Sequence, residues 1–390
     1  MKLFSVLFLV FVAGLSAGCS TFKSWLSQNQ QRRTFQVRNV WTTQTTQTEN
    51  LGFRKINRFT PVFYRSKARG DMLIQANSMD GVIAYEKKTG RQLWRLNVLN
   101  GVESSATVKG SYLFFGASDG QFYCVDADNG QVVWTFPTRI ENLSEPIVED
   151  GLVFFLTGAN SLFALEADTG KQAWLYARPE TANISIRGGS KPAYRAGTLY
   201  VGFSDGAVVS LLAKSGQVKW EKQLNRNKKF RDMDTNPLVD GDVVYVLGFD
   251  DATYALRAAT GDLVWRFEKG GYGGFLMMGD RLYFGSTTDE LIALDKTTGR
   301  MVWSHPVKNG IATQPSMLKG VLVYGESLGA LRFLEANSGR ELGHFEPGRG
   351  ILSPPAVDGV NNTVYFISNE ANLYAIEAKW APAPALPHLR

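Results

Sequence analysis

Apolar residues fall along this chain in runs of four to six, rich in β-branched and aromatic side chains. Short polar turns carrying Gly, Asp, Asn or Ser interrupt them. A run meets a turn, then an alternating run, then a Gly turn, then a run bearing Trp, and the order recurs. It reads as "MLIQANSMDGVIAYEKKTGRQLW" (72–94), "YLFFGASDGQFYCVDADNGQVVW" (112–134) and "LVFFLTGANSLFALEADTGKQAW" (152–174). Four further copies start at 198, 243, 281 and 321, the last ending on Gly343 where the others carry Trp. Periodicity of two bounded by turns predicts strands and hairpins. A repeat of 38–46 residues predicts a stacked or radial architecture.

One more strand precedes each unit and is often marked by Pro, as in "SEPIV", "SKPAY" and "TNPLV". There are eight such starts, but the eighth unit, "TVYFISNEANLYAIEA" (363–378), stops without its Trp strand. The missing strand is available in "FQVRNVWTTQT" (35–45), with Trp41 at the repeat Trp position. The expected fold is therefore all-β: an eight-bladed β-propeller of four-stranded antiparallel blades, spanning 35–378. Its N-terminal strand completes the last blade, and radial closure leaves only short protected edges.

The first residues follow a different rule. Lys2, the apolar stretch Leu3 to Val12 and the small residues Ser16-Ala17-Gly18 have the form of a secretory signal. The stretch is too short for a stable membrane span. Cys19 directly after Ala-Gly resembles a bacterial lipobox, with Ser16 where that pattern prefers Leu. This implies cleavage before Cys19 and acylation of its thiol. Ser20, by the sorting rule of enteric lipoproteins, implies the outer membrane. The expected organisation is a lipoprotein signal peptide (1–18), a lipidated Cys and polar linker (19–34), the propeller, and a Pro-rich tail (379–390). Cys124 then remains alone, so no internal disulfide forms and the core must carry stability.

Composition adds little. With 42 basic against 36 acidic side chains, nothing concentrates charge into a nucleic-acid stripe. Three G-x-S-x-G matches, "GASDG", "GFSDG" and "GESLG", all fall at the same hairpin turn, where a nucleophile elbow would need a strand-to-helix turn. The three His residues lack metal-ligand spacing, "DADNG" (126–130) lacks the ligands of a calcium loop, and "RGD" (69–71) is a turn tripeptide. The repeat ending A-x-x-x-G-x-x-x-W resembles that of pyrroloquinoline-quinone dehydrogenases. The rival to a binding protein is thus a quinoprotein-like enzyme or sensor with a ligand on the propeller axis. Fold likeness alone does not carry that activity over, and neither cofactor nor metal is expected.

Spacing singles out two connectors. From the Trp position of one blade to the Pro-marked position of the next strand is usually 11 or 12 residues, but Trp174 to Pro192 is 18 and Trp220 to Pro237 is 17. They flank the fourth blade and must emerge on the same face. The first insertion offers Ile184, Ile186 and Arg187. The second offers the basic run Lys228–Arg231 with Asp232 and Asp234. Apolar anchors beside Arg have an interface composition; the same residues can instead fold back on the blade.

With lipobox and Trp-Gly repeats, the stretches "SIRGGSKP" and "DMDTNP" resemble the BamB family, lipoproteins of the bacterial outer-membrane β-barrel assembly machinery. The resemblance covers roughly 34–378. It implies a non-catalytic scaffold, lipid-anchored and facing the periplasm, that docks these loops on a POTRA domain of a BamA-like partner and assists unfolded β-barrel clients. Carried over by position, the contact residues are Ile184, Ile186, Arg187, Asp232 and Asp234. Gly343, the basic run and the tail depart from the family pattern.

Overall fold

A computed structural model describes residues 33–46, 56–178, 189–224, 232–233, 235–249 and 252–382. The larger of two compact units, residues 37–377, holds eight four-stranded antiparallel sheets. In seven of them four consecutive strands pair in chain order. The first blade, β2 (Val62–Ser66), β3 (Gly70–Asn77), β4 (Gly81–Glu86) and β5 (Gln92–Asn97), is typical. The eighth has its first three strands at Ala356–Asp358, Thr363–Ile367 and Asn372–Pro382, and its fourth is β1 (Arg33–Gln44) from the other end of the chain. This is the eight-bladed propeller expected, closed by the N-terminal strand.

The smaller unit comprises the chain ends, of which 33–36 and 378–382 are described. There the two strands run past the expected edges at 35 and 378, and Phe35 meets Trp380 edge to face at 5.5 Å.

Middle strands are nearly continuous apolar runs because both their faces are covered by neighbouring blades. Phe114, Phe122, Phe154, Phe155 and Phe284 are all fully buried or within one percent of it. Outer strands keep a half-exposed alternation. The Trp on every outer strand but the seventh blade's performs a specific task. Trp94 lays its ring on the Gly130 turn of the next blade and donates its Nε1–H to the carbonyl of Ala127 at 3.1 Å. Trp134, Trp174, Trp220 and Trp303 repeat this on Ala167, Ala213, Ala258 and Ala336, and Trp265 on Lys296. Trp41 does the same from β1 to the carbonyl of Lys87 in the first blade.

The turn glycine is required on two counts. Gly130 has φ +76°, and a Cβ there would stand 2.6 Å from the Trp94 ring. Gly130→Ala is expected to destabilise by roughly 2 kcal/mol or more, combining left-handed backbone cost with displacement of the ring. Urea unfolding checks this; a neutral result would mean that the ring moves aside freely.

Gly343 now has a physical explanation. The eighth blade has no Gly turn for a seventh-blade Trp to cover, because its third and fourth strands come from opposite ends of the chain. Phe345 instead packs on Tyr374 at 5.5 Å, and Tyr374 stacks on Phe366 at 5.0 Å.

Candidate interaction site on the connector face

Because strands alternate in direction, the connectors between blades and the turns between second and third strands share one face. The described ends of the two long connectors lie on it and are held tightly. Arg178 stands four residues after Trp174, where the first, second and sixth repeats hold Val98, Thr138 and Val307. Its guanidinium spans to the fourth blade. It donates to Asp205 Oδ2 at 2.6 and 2.8 Å and to Glu221 Oε1 at 2.9 Å, with the Phe203 ring 5.3 Å away. The first insertion therefore departs from a fixed point.

It returns to one as well. Gly189 bridges Ser144 of the preceding connector, so close that a Cβ would fall 2.5 Å from the Ser144 nitrogen. Buried Ser190 donates its hydroxyl to the Thr235 carbonyl at 2.8 Å, and the Lys191 N–H donates to Asn236 Oδ1 at 2.8 Å. Thr235 and Asn236 end the second insertion, so the two insertions are bonded to each other at their feet. Lys191 also pairs with Glu145.

The second insertion crosses the fourth blade just as closely. Met233 is buried, its N–H donates to the Phe203 carbonyl, and its own carbonyl would lie 2.0 Å from a Cβ at Gly202. Asp232 is 2% exposed, and its carbonyl accepts the Phe249 N–H. Of the residues singled out from sequence, Asp232 is thus a buried support of the loop in the unbound chain. Cys19, Ile184, Ile186, Arg187 and Asp234, with the basic run 228–231, lie outside the described residues. Sequence reading passed over Arg178. A charge at a repeat position that is uncharged in the two flanking blades, at Thr138 and Leu224, was the available signal.

The propeller axis opens on the same face as a cavity of about 120 Å³ lined by Arg58, Glu103, Glu145, Asn236, Tyr272 and Gln314. Cofactor pockets usually measure about 300–1,000 Å³. The Arg58 guanidinium sits over the Tyr272 ring at 5.9 Å, and among the described residues no three His, Cys, Asp or Glu side chains gather as metal ligands. The mouth does not fit a quinone with its cation. Cys124 lies in the second blade's core, where burial pushes its thiol up to about 12. In the "DADNG" turn the Asp126 and Asn129 side chains accept N–H groups of their own turn, and Asp128 accepts the Tyr64 hydroxyl. Ser204 and Ser327 hydroxyls accept hydrogen bonds from Asn160 Nδ2 and the Ile311 N–H.

The sequence profile of the family described as outer membrane protein assembly factor BamB matches residues 78–305 and 250–380. The chain belongs to the BamB family. An outer membrane protein assembly factor BamB of Salmonella typhimurium is 30% identical over 381 residues, 93% of this chain and 96% of that protein. The crystal structure of BamB from Moraxella catarrhalis superposes with a TM-score of 0.73 at 20% identity, covering 87% of this chain and 99% of that one. A quinohemoprotein alcohol dehydrogenase from Pseudomonas putida also superposes, with a TM-score of 0.67 at 15% identity over 90% of this chain and 78% of that one. Likeness at that level is a likeness of fold. Family membership makes this protein a non-catalytic outer membrane protein assembly factor, and no helix among the described residues is long and apolar enough to cross a membrane.

Proposed function

We propose that the protein is an outer-membrane lipoprotein, acylated at Cys19 after removal of residues 1–18. The linker 19–34 tethers a propeller that acts in the periplasm as a docking scaffold for β-barrel insertion. Ile184, Ile186, Arg187 and Asp234 make the contact with a POTRA domain of a BamA-like partner. Asp232 holds the second loop in shape from beneath.

One observation carries the reading: the two lengthened connectors that flank the fourth blade leave from and return to fixed feet, and the feet are bonded to each other through Ser190–Thr235 and Lys191–Asn236. Loops on rigid feet present a preorganised surface, and ordering costs less on binding. Two apolar anchors with Arg between partners of opposite charge suit a small, central contact. Unfolded barrel clients would then be handled near the partner, at the surface that this contact positions.

Co-purification from membranes tests this with the wild type and with Arg187→Glu combined with Asp234→Arg. The expected result is a BamA-like barrel protein retained by the wild type and lost by a variant whose thermal unfolding is unchanged. Retention by the variant would show that the partner docks elsewhere.

A further inference from the structure

On the face opposite the described feet of the two long connectors, the closure seam between the eighth and first blades forms a basic groove of about 860 Å³. Strand β2 supplies Arg65, turns β2–β3 and β4–β5 supply Arg69, Lys87 and Lys88, and β1 supplies Arg38, against the lining carboxylates Asp71, Glu86 and Glu377. Some of this charge is already used. Lys87 pairs with Asp358 at 3.0 Å across the seam and with Asp71 at 3.2 Å in its own blade, and Arg38 pairs with Glu377 at 3.0 Å. Arg69 and Lys88 are exposed and have no carboxylate within ion-pair distance among the described residues, and neither does Lys67 in the same turn. Arg69 is spent only on a long bond to the Leu93 carbonyl. The tripeptide "RGD" thus sits in the groove wall, its Asp neutralised by Lys87 and Arg65 while its Arg stays available.

We infer that this groove is a contact surface for anionic phospholipid headgroups. Two observations point to a lipid surface. The chemistry is that of phosphate recognition: exposed Arg69 and Lys88, in no ion pair among the described residues, beside a cleft open to solvent. The placement agrees, since the polypeptide from the N-terminus enters the propeller at this groove, where Arg38 and Val40 of β1 line it. In orientation the inference rests on acylation of Cys19, which would bring that entry point to the membrane. The chemistry of the groove is independent of it. With the groove toward lipid, the docking loops face away from the membrane, so both surfaces can be engaged at once.

The test uses the mature chain with Cys19→Ser, so that no acyl chain contributes. Flotation is measured with phosphatidylcholine vesicles and with vesicles in which roughly a third of the lipid is phosphatidylglycerol. Binding is expected only to the anionic vesicles. Each basic residue near an anionic surface is worth about fivefold in affinity, so Arg69→Glu with Lys88→Glu is expected to weaken it by about 25-fold or more. The control pair Lys171→Glu with Lys214→Glu makes the same charge change in turns on the same face, two and three blades away, and should retain most binding. Equal loss in both pairs would reduce the effect to net charge and overturn the groove. Displacement by inorganic phosphate at constant ionic strength would identify a free-anion site and overturn the lipid surface. No flotation on anionic vesicles overturns it outright. Mass analysis of the wild-type N-terminus tests the anchor separately: an unacylated Cys19 with intact groove binding would remove the orientation and leave the surface.

Discussion

Arg332→Met is expected to cost about 3–5 kcal/mol of stability, the usual penalty for breaking a buried ion pair from one side. In the seventh blade Arg332 is 3% exposed and Glu326 is fully buried. The guanidinium places Nε 2.8 Å from Glu326 Oε1, donates from Nη2 to Glu326 Oε2 at 3.0 Å, and donates from Nη1 to Glu341 at 2.9 Å. The Lys308 N–H donates to Glu326 as well, and Lys308 Nζ reaches Glu341 at 3.2 Å. Burial by itself would raise the Glu326 pKa. The hydrogen bonds and charge of Arg332, with the Lys308 N–H, outweigh it and hold the group below 4.5.

The sign of the pH dependence follows. A carboxylate whose folded pKa is depressed contributes stability that is present above its unfolded value and lost as pH falls through the folded one. In Arg332→Met the same carboxylate is buried without its counter-charge and its pKa rises, so the deficit against wild type should shrink between pH 7 and about pH 5. Urea unfolding at both pH values measures this. Adding Glu326→Gln to Arg332→Met should recover a large part of the loss, because the amide oxygen still accepts a backbone N–H and no buried charge remains. A deficit that is independent of pH and not relieved by the second substitution would mean that Arg332 acts through packing.

That cluster also shows where the sequence was legible. The Trp-Gly repeat carried blade number, strand order and closure because each of its residues has one physical task, repeated at every interface. Arg332 breaks the repeat: it pairs in register with Tyr324 where the corresponding positions in other blades hold Ile83, Tyr123, Phe163 and Val209. Polar substitutions for apolar residues leave no periodic trace, so only a position-by-position comparison of repeats reveals them. The two insertions flanking the fourth blade were found by counting, since length survives where composition does not. Their anchoring was not: Ser190, Thr235, Asn236 and Arg178 are bonded across 45 or fewer positions through hydrogen bonds that no local pattern encodes. Asp232 shows the opposite failure. The resemblance put it among the contact residues, and the backbone carries it inward over the fourth blade.

Trp41→Ala should show what closes the ring. Every other blade-to-blade Trp joins sheets whose own strands are continuous in sequence, whereas the eighth blade is completed by pairing between β1 and Asn372–Pro382, with no covalent link between them. Trp41 secures that completed blade to the first. Its ring covers the Gly90 turn, its Nε1–H reaches the Lys87 carbonyl at 3.3 Å, and it packs 5.9 Å from Tyr365 in a cluster with Leu73, Ile83, Tyr85 and Leu373. On its far side the eighth blade lacks a Trp clasp, Gly343 standing in that place. Removing the half-buried ring is expected to cost about 3 kcal/mol, and the loss should be local first, because the seam is the one place where a blade can detach without breaking a chain of consecutive strands. Hydrogen exchange should therefore speed up by about a hundredfold in 356–377 before the second to sixth blades respond, whereas Trp134→Ala should leave that segment as protected as in the wild type. Uniform acceleration around the ring in Trp41→Ala would show that the propeller opens only as a whole, and that the lone Trp of the N-terminal strand closes it no more than any other.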